Sequence, residues 1–414
     1  MSERMPGLGK LPDKVDLGNG FTFENKGGMG VYVDPNAAAR QKSTQPDSAP
    51  YCFSRVALIR STVAAAKEAG EPAVWPEGDK LSLAKCYLAR IPAEIGALTN
   101  LVELHLGVNQ LNDLPLDLAN LDKLEALYLH HNSFETLPEV VTMLPALKRL
   151  IISDNQLTKL PSAISALSGL VELMASNNTL RSLPKSISVL KRLEVLNLAN
   201  NSLAVIPTVI CKNTALMELD LSGNALRALP ECIGDAWGAQ LVWLPLSSNR
   251  LSKLPRSMGK LTSLTALALD NNKLDVFPSF LKDFVAARVP LKDLSLRGNA
   301  ISEIPPWFAA FKDSLVELDL SENRITAIPP FFGDFSALAY LDIALNRITS
   351  LPPQLAMLAT ASLDDIAIFG NPMTELPAGW CDATEHPMRD FVYRDCLDLA
   401  AGEFGVEFED RDEL

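Results

Sequence analysis

Four histidines, six cysteines and a long series of carboxylates are the residues of this chain whose types and spacing could do chemistry. His105, His130 and His131 lie close in sequence, and imidazole is both a common metal ligand and a proton carrier near neutral pH. His130 and His131 are consecutive, however, so in a strand their side chains diverge, and neither cysteine nor carboxylate stands beside them at ligand spacing. No metal is expected there. Cys381 and His386 supply two members of a thiolate nucleophile, but nothing nearby orients the imidazole. The glycine-rich GNGFTFENKGGMG has no GxxxxGK[ST] phosphate loop and opens no helix. HExxH, GxSxG and the kinase motif set are absent from the sequence. The expectation is therefore a chain that is not an enzyme and carries no cofactor. The chemistry left to it is recognition.

Composition narrows the partner. Of 414 residues, 48% are hydrophobic and 21% charged, the balance of a folded chain and not of a disordered one. A net charge of −13 argues against a nucleic-acid backbone or an anionic membrane, because both select clustered Lys and Arg. Other proteins are the expected partners. The opening MSERMPGLGKLPDKV has no apolar signal-peptide core, and no uninterrupted apolar run reaches about 18 residues. The expected location is the cytoplasm, without membrane insertion. The cysteines (52, 86, 211, 232, 381 and 396) form no CxxC pair, so reduced thiols are expected.

What must position such residues is a repeat. LVELHLGVNQLNDLP, Leu101 to Pro115, returns as LVELDLSENRITAIP, Leu315 to Pro329. The asparagine of that phrase recurs at Asn109, Asn132, Asn155, Asn178, Asn201, Asn224, Asn249, Asn272, Asn299, Asn323, Asn346 and Asn371, in steps of 23 to 27 residues. Cys86, 23 residues before Asn109, fits the same frame and makes thirteen copies from about Lys80 to Trp380. Six residues after each position stands a proline, from Pro92 to Pro377, and five after stands Leu, Ile or Phe.

The frame L-x-x-L-x-L-x-x-N-x-L-x-x-L-P resembles the leucine-rich repeat, and its 23-residue, LP-containing form is similar to the intracellular Ras-group subfamily. The resemblance implies an α/β leucine-rich-repeat solenoid of about 13 coils with helical caps, a curved parallel β-sheet on its concave face and a short helical or irregular convex side. It also implies a scaffold that bridges small GTPases, phosphatases or adhesion components. The physics points the same way. One coil buries about five Leu-sized side chains at roughly 2 kcal/mol each, whereas ordering its residues costs about 1–2 kcal/mol apiece. No coil folds alone, so coils must stack on one shared core. The asparagine carries donor and acceptor on one short side chain and can satisfy backbone groups at the turn.

Strand side chains alternate, so residues six, four, two and one before each asparagine are expected to face out on the concave side. Early coils place His105, Tyr128, His130, His131, Ile151 and Met174 there. Middle and late coils place small residues bordered by Glu218, Asp220, Asp270, Asp293, Glu317, Asp319, Asp342 and Asp365, with Trp243, Arg297 and Tyr340 among them. These form the expected partner-binding face.

The ends read differently. Residues 1–49 form a Gly-rich arm, extended or disordered, in which GFTFENKGGMGVYV alternates enough for a small hairpin with Gly-rich turn chemistry between Phe23 and Val31. Residues 50–79 hold a capping helix from Pro50 to Gly70, with Phe53, Val56, Leu58, Ile59 and Val63 inward. The solenoid covers 80–380, and 381–414 form a C-terminal cap, helical from His386 to Leu399, with an acidic tail. Two long coils should extend their convex turns at Ala236 to Ala239 and Ala286 to Pro290. The functional reading is a non-enzymatic interaction scaffold in small-GTPase or phosphatase signalling. The alternative is a structural subunit of a multiprotein cytoskeletal or ciliary (axonemal) assembly, anchored through the arm.

Overall fold

A computed structural model describes residues 15–16, 22–26, 29–33, 49–355 and 363–373, with side chains from Cys52 onward. The expected C-terminal cap and tail lie outside the described residues. The chain divides into two units, Met1–Cys52 and Phe53–Leu414. In the first, Val15–Asp16 pairs antiparallel with Thr22–Lys26, which pairs in turn with Met29–Val33.

The cap helix spans Ala49–Ala69. Its inward stripe runs through Cys52, Val56, Ile59 and Val63, but not through Phe53, which is 75% exposed. At about 100° per residue Phe53 lies some 120° round the helix from Ile59, outside that stripe. After the helix, Trp75 packs into the core, and Asn100 of the next coil binds its backbone N–H and carbonyl.

The solenoid is a stack of three-residue parallel strands. Lys80–Ser82, Glu103–His105, Ala126–Tyr128, Arg149–Ile151, Glu172–Met174, Val195–Asn197 and Glu218–Asp220 make a seven-stranded sheet. Ala266–Ala268, Asp293–Ser295, Glu317–Asp319, Tyr340–Asp342 and Asp365–Ala367 make a five-stranded one. Register follows the repeat, so Leu104 lies opposite both Leu81 and Leu127, and all three are fully buried. The division falls at the coil of Trp243 and Pro245. Its carbonyls still accept from Leu219 and Leu221. Pro245 has no N–H to return, so a rung of the ladder is missing.

Each asparagine of the frame binds two coils together. Asn155 is typical: its Oδ1 accepts from the Phe134 N–H of the preceding coil, and its Nδ2 faces the carbonyls of Leu129, Ile152 and Ser153. The pattern repeats from Asn109 to Asn371. The residue before every frame position is left-handed, with φ from 51° to 68°, in all thirteen coils from Lys85 to Gly370. That corner turns the chain out of the strand. It also removes this position from the strand alternation, which corrects the expectation that it faces out beside its neighbours.

On the other side of each coil, the repeat's proline sets φ for a tight turn. Among the described residues nine 3-10 helices start directly after it, as when Ile95 N–H donates to the Pro92 carbonyl. The two long coils instead close full α-helical turns, Ile233–Trp237 and Leu281–Ala287.

The expectation of reduced thiols is corrected. Cys211 and Cys232 form a disulfide with Cα atoms 6.1 Å apart, and Cys52 and Cys86 are disulfide-bonded as well. The residues that meet in a stacked solenoid are about one repeat apart. A separation of 21 therefore brings two cysteines face to face where no CxxC spacing announces it. Cys86, in the frame position of the asparagine, is disulfide-bonded and offers no amide there.

Two outcomes test these roles. Asn155→Ala strands the Phe134 N–H, while the carbonyls of Leu129, Ile152 and Ser153 keep their bonds from Asn132, Asn178 and His131; it should cost about 2 kcal/mol, read as a lower urea midpoint. Val108 is the one β-branched residue at a left-handed corner. Val108→Asn should raise stability by about 1 kcal/mol, read as a higher urea midpoint, because that conformation costs β-branched residues most; a fall would show that Val108 packing outweighs its strain.

A candidate protein-binding face

The residues four before each asparagine stand in one row across the sheet. His105, Tyr128, Ile151, Met174, Asn197 and Asp220 are consecutive register partners. Neighbouring strands lie about 4.8 Å apart, so each of these side chains is half-covered by the next.

In the early coils the row is an aromatic stack held by charge pairs. The rings of His105 and Tyr128 are parallel, with centroids 4.2 Å apart. His105 Nε2 meets Glu103 at 2.7 Å, and Glu103 also pairs with Lys80 at 2.8 Å. On the far side Arg149 donates to the Tyr128 hydroxyl at 3.3 Å and pairs with Glu172. Burial opposes the Arg149 charge, but Glu172 and Tyr128 beside it outweigh that and raise its pKa. Glu103, Arg149 and Glu172 were not singled out from the sequence. Their signal was opposite charges one repeat apart.

The His130 ring lies against Gly107, where a Cβ would come within 2.4 Å of it. Burial first, and then His131 and His105, lower the His130 pKa. His131 occupies a left-handed corner, not the strand face, and its ring meets that of His130 edge-on at 5.7 Å. The corner is why the two imidazoles do not diverge as alternation predicts. His131 points to the edge, toward Asp154 at 3.6 Å. Among the described residues no group of three or more His, Cys, Asp or Glu is placed to hold a metal.

The late coils have less of that compensation, with Lys292 drawing on Asp293 and Arg297 on Asp342. Asp293, Glu317, Tyr340 and Asp365 are register neighbours in one row, and Asp319 and Asp342 in the next. Burial raises every one of these carboxyls. Asp293 is pushed to about 6 against the pull of Lys292. Glu317 rises to about 7 with help from Asp293, and Asp319 to about 7 with help from Asp342. Asp342 and Asp365 are raised as well, and the Tyr340 hydroxyl is raised by burial and by Asp342 beside it. Arg297 turns to Glu322 at the corner, 2.6 Å away. Asp342, expected to face a partner, is only 8% exposed, because its two oxygens accept from Ala344 N–H and the Tyr340 hydroxyl. Asp270 is engaged by Ser247 and Ser295.

Between the zones, Trp243 is half-buried beside Glu218, whose pKa burial and Glu172 lift to about 7. Asp220 is raised by burial against its bond to Ser222.

These shifts fix a pH dependence. A carboxyl whose folded pKa lies above its unfolded value binds more protons when folded, so its contribution to stability is present below pH 4 and lost as pH rises through about 6–7. His130 acts in the opposite sense, as a single group. The melting temperature should therefore rise from pH 8 to pH 5.5. The double variant Glu317→Gln, Asp319→Asn should flatten that rise; an unchanged slope would show that these carboxyls do not carry it.

Comparisons with known proteins come to the same architecture. Leucine-rich-repeat family models match residues 145–203, 168–226 and 314–335. No curated protein matches the sequence. Among solved structures, a leucine-rich-repeat protein of Leptospira interrogans is 29% identical with a TM-score of 0.66, over 78% of this chain and 82% of that one. The leucine-rich effector protein YopM of Yersinia pestis is 25% identical with a TM-score of 0.57, over 82% of each chain. The plant peptide hormone receptor RGFR1 in complex with RGF2 is 28% identical with a TM-score of 0.51, over 74% of this chain and 56% of that one. With the in-register sheet and its asparagine ladder, these matches make the chain a leucine-rich-repeat protein.

Proposed function

We propose that the chain is a non-catalytic scaffold whose sheet face takes an extended segment of a partner protein, with a basic stretch of that segment against the late coils. Leucine-rich-repeat proteins generally mediate protein–protein interactions, and the plant receptor above was solved with a bound peptide partner. One contrast carries the reading. Early-coil carboxylates have cations beside them, Glu103 with Lys80 and Glu172 with Arg149. The late-coil carboxylates crowd one another with their pKa values raised. A partner's Lys or Arg would supply the missing charge and draw these groups back to their ionised form.

The Ras-group likeness of the 23-residue frame is what supports small-GTPase or phosphatase signalling. The Gly-rich arm is what supports a cytoskeletal or ciliary assembly. The Cys211–Cys232 disulfide supports a thiol-oxidising compartment over the cytoplasm, since cytosolic reductants keep thiols reduced.

The test is calorimetric titration of the full chain with an oligolysine peptide. Binding should tighten from pH 6 to pH 8 and weaken with added salt. Glu317→Gln with Asp319→Asn should weaken it at least tenfold, while Tyr128→Ala should leave it within twofold. No binding, or equal loss in both variants, would sink the assignment of the late coils.

A further inference from the structure

We infer that Asn177 and Asn200 are acceptors of N-linked glycans, which makes the left-handed edge of the middle coils a modified surface and leaves the sheet face open. Both asparagines head an N-x-[ST] sequon, Asn177-Asn178-Thr179 and Asn200-Asn201-Ser202. They stand one repeat apart at the corner before the frame asparagine, with φ of 51° and 52°. Asn177, Thr179, Asn200 and Ser202 are all exposed, although each frame asparagine between them is turned into the stack. An acceptor needs that combination of hydroxyl spacing and open surface.

The side chains form a short ladder along the edge. Asn200 Nδ2 donates to Asn177 Oδ1 at 2.9 Å, and Asn177 Nδ2 donates to Asp154 Oδ1 at 2.9 Å. Each Nδ2 carries two hydrogens and uses one in the ladder. The other can be replaced without breaking it. In the transfer, Nδ2 bonds to C1 of the first sugar of a lipid-diphosphate-linked oligosaccharide. The C1–O bond to the diphosphate breaks, and the lipid diphosphate leaves with the displaced proton. The Asn200 Oδ1 end of the ladder abuts Gly223, where a Cβ would come within 2.0 Å of that oxygen.

The second line of support is the disulfide. Cys211–Cys232 joins the return turn of the Asn201 coil to the next. Disulfide formation and oligosaccharide transfer share the same oxidising route through the cell.

The molecule contains its own control. Asn271 is exposed at the same corner with φ of 52°, but Lys273 stands where a sequon needs Ser or Thr. The experiment is glycosidase digestion of the protein isolated from its source, with peptide mapping before and after. Expected are a faster-migrating band and conversion of residues 177 and 200, but not 271, from Asn to Asp. Asn177→Gln and Asn200→Gln should each remove one glycan's worth of mass, with the urea midpoint confirming that the variants fold. Unmodified Asn177 and Asn200 would overturn the inference. If the same map shows Cys211 still joined to Cys232, the oxidising compartment stands and glycosylation alone fails.

Discussion

Everything in the solenoid depends on one side-chain amide used twelve times. A three-residue strand leaves most of its coil's backbone without a ladder partner, and a coil of this size cannot bury enough apolar surface to fold alone. The frame asparagine closes that gap by accepting from one coil and donating to the carbonyls of two. Its bonds cross the interface between coils, so they exist only when the neighbour is in register. Stacking and hydrogen bonding are thus one event, and the buried leucines can occupy the same depth in every coil.

That constraint also explains where variation is allowed. With the leucines, the asparagine and the proline committed, the side chains on the sheet face are bound only by what stands in the next strand. In the early coils those neighbours satisfy one another, as in the line from Lys80 and Glu103 through the His105–Tyr128 stack to Arg149 and Glu172. In the late coils carboxyls adjoin, and burial first, then like charge beside Glu317 and Asp319, raises their pKa values. At neutral pH burial opposes their ionised forms, although Ser321 and Ala344 hold Asp319 and Asp342 by hydrogen bonds.

The irregularities are as informative as the repeats. Pro245 interrupts the ladder between the two sheets, and the disulfide sits on the return turns just before that interruption. The first frame position carries a bonded cysteine where all later ones carry asparagine. Bonded cysteines thus stand in the first coil and on the return turns next to the division between the two sheets.

By itself the sequence determined the period, the buried frame, the number of coils and the convex turns of the two long repeats, because each follows from spacing alone. It also placed the row four before each asparagine on the sheet face, since strand alternation is local, but did not single out Glu103, Arg149 or Glu172. Only the tertiary structure decided what those residues meet. His131 left the face because its corner is left-handed, and Asp342 sank below the surface because Tyr340 and Ala344 bind it. Cys211 found Cys232 because stacking turns a separation of one repeat into contact. Spacing along a chain is a one-dimensional quantity. Contacts between stacked coils arise only when that spacing is wound into a helix of fixed rise, and the sequence leaves the rise to the packing.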